Sequence, residues 1–269
     1  APEETKASVA AAYYGDTGYC APGVESVSRT AVDNDAPQRP PDAVESFVYH
    51  GHAGRDKLPS EAALPGFASA LGRYWGELEA LTRALMSLSA AALGLEEDHF
   101  EAAYARHASV LRLAHYPPAA AAVSARGEGE AAAGRLRYGE HTDYIGFTIL
   151  FQDDSPRPGL EVRMPGGEFV DVPPLPSTAA DGADGGGGVS FTVNVADMIA
   201  RWTNDRWPSP LHRVANGAPG AERGRLSVVF FSGPSNDTLV ECLPGCGEPK
   251  YAPVVCGEYL RAKLEASNG

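Results

Sequence analysis

Between Leu64 and Leu93 the apolar residues recur every three or four positions. Phe67, Leu71, Tyr74, Leu78, Leu81, Leu85, Leu88 and Ala92 form one stripe, which predicts a long amphipathic helix. Pro65 near its start and Gly94 just past its end are the residues that helix termini prefer. A short second helix is expected over about Glu96 to Ala105. From Val110 the period shortens to two. Val110 to Tyr116 alternates apolar and polar positions and stops at Pro117-Pro118. Further strands are expected around 135–143, 145–151, 159–163, 168–172, 189–194, 210–215, 225–232 and 238–242, then a helix near 257–266. Upstream, Tyr19 and Phe47-Val48-Tyr49 can anchor short strands. Asn34 to Asp42, the Ala-rich stretch 119–134 and the Gly-rich stretch from Ser177 to Gly188 predict loops.

Many short strands bounded by Gly and Pro argue for an antiparallel sandwich or barrel, not for alternating βαβ units. The expected fold is mainly β with flanking helices: a double-stranded β-helix, or jelly roll, with N-terminal helices packed outside and one C-terminal helix. The chain divides into an N-terminal loop and helical region (1–108), the jelly-roll core (109–248), and a C-terminal helix (249–269) belonging to the same domain. With 269 residues, 43% of them hydrophobic, the chain is long enough to bury a sizeable core.

A net charge of -13 argues against a nucleic-acid surface, which needs clustered Lys and Arg. No apolar run approaches the ~20 residues that cross a bilayer. The opening Ala-Pro-Glu-Glu-Thr-Lys has neither Met nor a signal-peptide pattern. Cys242 and Cys246 lack a second pair to complete a zinc site. Reading all four cysteines as reduced thiols favours an intracellular, cytoplasmic location. A monomer acting on a small molecule is expected.

The chemistry concentrates in Tyr138-Gly139-Glu140-His141-Thr142-Asp143-Tyr144. In an extended strand residues two apart share a face, so His141 and Asp143 can grip one ion. His212 is the natural third ligand. Two imidazoles and one carboxylate occupy one face of an octahedral ion and leave positions open, as in non-haem iron(II) oxygenases. His-x-Asp alone is a common dipeptide pattern, so a second constellation matters. Arg225 and Ser227 share a strand face, and a guanidinium with a hydroxyl makes a carboxylate receptor. Iron(II) with one carboxylate is a +1 site and Arg225 adds another; a dicarboxylate such as 2-oxoglutarate would neutralise both. Val229 and Phe231 lie on the same face as Arg225 and can line a pocket or serve as sandwich core. Tyr144, Phe147 and the 177–188 stretch are further candidates for substrate contact. His50, His52, His99 and His107 are read as loop or surface residues.

These motifs, with Asn194-Val195-Ala196-Asp197-Met198, Trp202-Thr203-Asn204 and Gly257-Glu258-Tyr259-Leu260, resemble the isopenicillin N synthase-like family of 2-oxoglutarate- and Fe(II)-dependent oxygenases. The likeness runs from about residue 64 to residue 264. It implies that His141, Asp143 and His212 bind Fe(II), that Arg225 and Ser227 bind the C5 carboxylate of 2-oxoglutarate, and that Tyr116 helps hold this co-substrate. The implied reaction consumes O2 and 2-oxoglutarate and oxidises a small organic metabolite, commonly by hydroxylation, with release of succinate and CO2. Ala114 replaces a family Asn and Ala196 a family Gly. The family's opening strand is missing, so the chain is expected to be truncated at its start. Three other readings stay open: an Fe(II)/O2 oxidase that does not use 2-oxoglutarate, a zinc hydrolase, and a metal-binding jelly-roll module without catalysis.

Overall fold

The computed structural model describes residues 1–13, 15–24, 27, 42, 44–51, 56–118, 136–153, 159–175, 189–215 and 224–268. Two antiparallel sheets face each other. The larger takes strands β1 (Gly18–Cys20), β2 (Glu45–Tyr49), β3 (Val110–Tyr116), β10 (Arg225–Phe231), β5 (Phe147–Gln152) and β8 (Thr192–Val195), side by side in that order. The smaller runs β4 (Leu136–His141), β9 (His212–Ala215), β6 (Leu160–Arg163) and β7 (Phe169–Asp171). This is the sandwich expected from the strand pattern. The N-terminal segment contributes two strands to the larger sheet, because β2 pairs with β3 from Glu45↔His115 to Tyr49↔Leu111.

The strand period sorts the residues of β10. Phe230 is 1% exposed and packs in a cluster with Leu71, Trp75 and Leu78 of the long helix α2 (Phe67–Leu93), joined by Val228. Val229 faces the other way, into a cluster with Leu150 and with Leu160 of the smaller sheet. Arg225 and Ser227 alternate in step with Val229 and are buried with it.

α2 follows the predicted stripe only through Leu85. Its buried face continues through Met86, Ser89 and Ala90, and Leu88 is 67% exposed. An ideal helix drifts relative to any fixed stripe over 27 residues, and the contact passes from the β10 sheet face to the cluster holding Phe100 and Trp202. The second helix shrinks to α3 (Glu101–Tyr104). Residues before it form turns, with His99 N–H donating to Glu96 and Glu101 N–H to Asp98, while Phe100 packs on Trp202.

Three elements were not anticipated: α1 (Glu3–Ser8), α4 (Asp197–Trp202) and β12 (Val254–Val255), which pairs with the expected strand β11 (Leu239–Val240). In α4, Met198, Ile199, Ala200 and Trp202 are buried while Asp197 and Arg201 are not; six residues are too few for an amphipathic period to show. α5 (Cys256–Asn268) closes the chain. All four cysteines are free thiols. His52, the stretches 119–134 and 177–188 and most of 34–42 lie outside the described residues. Among the described residues no helix is long and apolar enough to cross a membrane.

Candidate metal centre

β4 ends on His141 and pairs with β9, whose first residue is His212, in direct register. That pairing brings the two rings to 4.2 Å between centroids. Asp143 follows two residues later, before β5 begins. His141 Nε2 and His212 Nε2 lie 3.7 and 3.6 Å from the same carboxylate oxygen, Asp143 Oδ1. The three donor atoms lie within 4.8 Å of one another. Arg213, alternating with His212, ties β9 to its neighbours: its Nε donates to Glu161 at 2.6 Å and its Nη1 to Glu140 at 3.0 Å.

Backbone carbonyls fix the proton on each imidazole. His141 Nδ1 is 2.8 Å from the carbonyl of Gly139, and His212 Nδ1 is 3.0 Å from that of Pro210. A carbonyl only accepts, so each Nδ1 carries the hydrogen and each Nε2 keeps a lone pair aimed at the cluster. Burial, then the nearby His212, pushes the His141 pKa down to about 3, so its ring stays neutral. For Asp143 burial works against the anion, but His212, His141 and two hydrogen-bond donors outweigh it and hold the pKa below the usual carboxylate range. Those donors are Thr148 Oγ1 at 2.6 Å and Asn194 Nδ2 at 2.8 Å, both on Oδ2. One oxygen of Asp143 is thus held by the protein and the other faces the histidines. Two imidazole Nε2 atoms and one anionic oxygen, all buried or nearly so, fit a first-row divalent ion.

Neither Thr148 nor Asn194 was singled out by sequence reasoning for this anchoring. Asn194 was visible only as part of a family-like motif, and Thr148 as one residue of an apolar strand. Asp42 was missed as well: it is 4% exposed and accepts from the backbone N–H groups of Gly139 at 2.9 Å and Val27 at 2.8 Å. It therefore pins β4 two residues before His141.

Arg225 is 2% exposed. Its Nη2 donates to Gln152 Oε1 at 3.0 Å, and its guanidinium carbon lies 4.9 Å from the centroid of the Tyr116 ring. Its Nε and Nη1 have no hydrogen-bond partner among the described residues. Tyr116 and Ser227 are 3% and 1% exposed, and β3 sets Tyr116 directly opposite Arg225. The six residues singled out from the sequence thus gather in one interior, with Tyr138 packed between Tyr116 and His141. Ala114, where a family Asn was expected, sits opposite Ser227. Gln152, also opposite Ser227, holds the guanidinium.

A cavity of about 280 Å³ opens beside His141 and Asp143, walled by Val48, Tyr138, Tyr144, Ile145, Phe231 and Leu260. Tyr144 and Phe231 are thus among the residues that border this cavity. Phe147 is not: it is 7% exposed within the cluster of Met198, Ile199 and Trp202. His50, read as a loop residue, borders the cavity. His107 is half-buried, with Nε2 2.8 Å from Glu79 and its ring tilted against Trp75.

The 2OG-Fe(II) oxygenase superfamily matches residues 107–234. A 2-oxoglutarate-Fe(II) type oxidoreductase of Metarhizium rileyi is 32% identical over 273 residues, covering 93% of this chain and 67% of the relative. The corresponding Metarhizium majus protein is 32% identical over 85% of this chain, which spans only 56% of that relative's length. A full-length Neurospora crassa protein crystallised in complex with alpha-KG superposes with a TM-score of 0.78 at 29% identity, covering 99% of this chain and 78% of that one. The chain belongs to the 2OG-Fe(II) oxygenase superfamily.

Proposed function

We propose that the protein is a 2-oxoglutarate- and Fe(II)-dependent dioxygenase that hydroxylates or otherwise oxidises a small organic molecule, releasing succinate and CO2. The observation that carries this reading is the donor cluster. Two imidazoles, each with its Nδ1 proton lodged on a carbonyl, and one anchored carboxylate point three donor atoms at a common centre. His141, Asp143 and His212 would hold Fe(II). When bound, iron and 2-oxoglutarate supply the activation of O2 and the electrons that no side chain provides.

The rest of the work belongs to the chain. Arg225 offers two buried nitrogens without a partner among the described residues, and Ser227 a hydroxyl on the same face, to the distal carboxylate of 2-oxoglutarate. Tyr116 lies against the guanidinium and Gln152 fixes its rotation. Tyr138, Tyr144, Ile145 and Phe231 wall the adjoining cavity with mostly apolar surface, which excludes water and orients a substrate against the reacting centre. A small molecule fits the cavity's size, and the Neurospora crassa protein was also crystallised with alpha-KG and thymine. The four free thiols accord with a reducing compartment such as the cytoplasm, and we take the working unit to be a monomer.

Anaerobic titration of the protein with Fe(II) and then 2-oxoglutarate tests this. A metal-to-ligand charge-transfer band should grow to one equivalent and, with oxygen and substrate, succinate should form one-to-one with product. Substrate oxidation without succinate would move the assignment to an oxidase that uses iron and O2 alone. Activity with zinc in place of iron would point to hydrolysis.

A further inference from the structure

A second buried guanidinium is short of hydrogen-bond partners, like the first. Arg137 is 2% exposed, and its Nε and Nη2 have no hydrogen-bond partner among the described residues. Its position follows from a defect in β4. The pairing of β4 with β9 slips between Leu136↔Ala215 and Tyr138↔Val214, so two residues of β4 face one step of β9. A bulge of this kind breaks the alternation and re-aims a side chain. Arg137 and Tyr138, adjacent in sequence, are accordingly both buried. Tyr138 packs edge-on against Tyr116 at 6.5 Å, and Tyr116 lies under Arg225 at 4.9 Å. Arg225 is close enough that, after burial itself, its charge is what most depresses the pKa of Arg137, with Tyr116 acting the other way.

Two buried like charges with four unpartnered nitrogens between them, Nε and Nη2 of Arg137 and Nε and Nη1 of Arg225, are unfavourable without an anion. A carboxylate has about four acceptor positions and can take both forks. Arg137 is the chain neighbour of Tyr138, which packs on Tyr116 beside Arg225, and does not wall the cavity beside His141 and Asp143. It belongs with the co-substrate end of the interior, not with the substrate cavity.

We propose that Arg137 is a second arginine for the distal carboxylate of 2-oxoglutarate, gripping it together with Arg225. This rests on the dioxygenase reading above. Arg137 would be a binding and selectivity residue: two guanidiniums favour 2-oxo acids with a distal anion over those without one.

The test compares wild type with Arg137→Met and Arg137→Lys, each loaded anaerobically with Fe(II). Each is titrated with 2-oxoglutarate and with 2-oxovalerate, which lacks the distal carboxylate, by calorimetry and by the charge-transfer band. Arg137→Met should bind Fe(II) as wild type does and bind 2-oxoglutarate roughly 10- to 100-fold more weakly, the worth of a charge-assisted hydrogen bond to a buried partner. Its affinity for 2-oxovalerate should not fall, and Arg137→Lys should recover part of the loss. Unchanged 2-oxoglutarate affinity in Arg137→Met overturns the inference and assigns the side chain to substrate or to folding. Equal weakening of both acids overturns it as general damage to the site. A wild type that takes up Fe(II) but no 2-oxoglutarate sinks the dioxygenase reading itself, a result separable from either.

Discussion

Thr148→Val separates the anchoring of Asp143 from its charge. The Thr148 hydroxyl is 2.6 Å from Asp143 Oδ2, and both residues are 4% exposed. A hydrogen bond to a buried charged acceptor is worth roughly 1.5–3 kcal/mol. Valine keeps the branched shape and removes only the donor. Asn194 Nδ2, at 2.8 Å, still satisfies Oδ2, so stability should fall by an amount near the lower end of that range. Two effects then compete at the metal. A carboxylate relieved of a donor is more basic, which strengthens its bond to a cation, but it is also freer to turn away from His141 and His212. Because the Asp143 pKa is already held below the ordinary carboxylate range, the group is ionised at neutral pH in either protein, and added basicity changes little. Lost orientation should dominate. Removing such a partner commonly costs roughly 10- to 100-fold in metal affinity, or about 1.4–2.7 kcal/mol at about 1.4 kcal/mol per decade. Anaerobic calorimetric titration with Fe(II), alongside urea unfolding of the metal-free protein, reads both quantities. Fe(II) affinity within about twofold of wild type, with stability alone reduced, would show that the hydroxyl merely satisfies a buried acceptor.

Gly146→Ala should destabilise the protein by roughly 1–3 kcal/mol, the usual cost of forcing a methyl into a packed site, because a Cβ there falls onto the carbonyl oxygen of Ser232 and near the Tyr104 hydroxyl; a denaturation midpoint equal to wild type refutes this. Glu45 loses solvation on burial, yet hydrogen bonds from Lys6, Tyr19 and His115 outweigh that loss and bring its pKa from 4.5 to about 2. A carboxylate depressed in the folded state contributes stability above its unfolded pKa and loses it as pH falls through the folded value, so unfolding free energy should drop between pH 4.5 and about 2, and less steeply in Glu45→Gln. Leu264→Trp, at the edge of the substrate cavity, should leave Fe(II) and 2-oxoglutarate titrations unchanged while raising the KM for substrate; a shift in the 2-oxoglutarate titration instead would contradict the placement of that wall.

The strands were readable because short apolar-rich runs stand between turn residues, as Val110 to Tyr116 does, matching β3 to the residue. The donors were readable from the two-residue spacing of His141 and Asp143, although β4 ends on His141 and it is the following turn, not a shared strand face, that brings Asp143 to it. What escaped depended on contacts between distant segments. Asn194 and Thr148 matter only because β8 and β5 run side by side, with Thr148 opposite Asn194. Asp42 matters only because β4 passes beside it. Arg137 was not singled out, because nothing in a strand pattern announces the bulge in β4. α4 was hidden by its shortness, and the downstream half of the α2 stripe by a change of packing partner.

Gly15 near one end of the chain and Leu260 and Leu264 of α5 near the other meet on the wall of the substrate cavity, while every metal donor hangs from the interior strands β4 and β9 and the turn just after β4. The chamber's inner wall is thus shared with the donor cluster, through Tyr138, His141, Asp143 and Tyr144, while its outer wall comes from segments far away in sequence. Re-sculpting Gly15, Leu260 and Leu264 should change which molecule is accepted and leave the ion's cradle untouched, so a designer seeking new selectivity should begin at that outer wall.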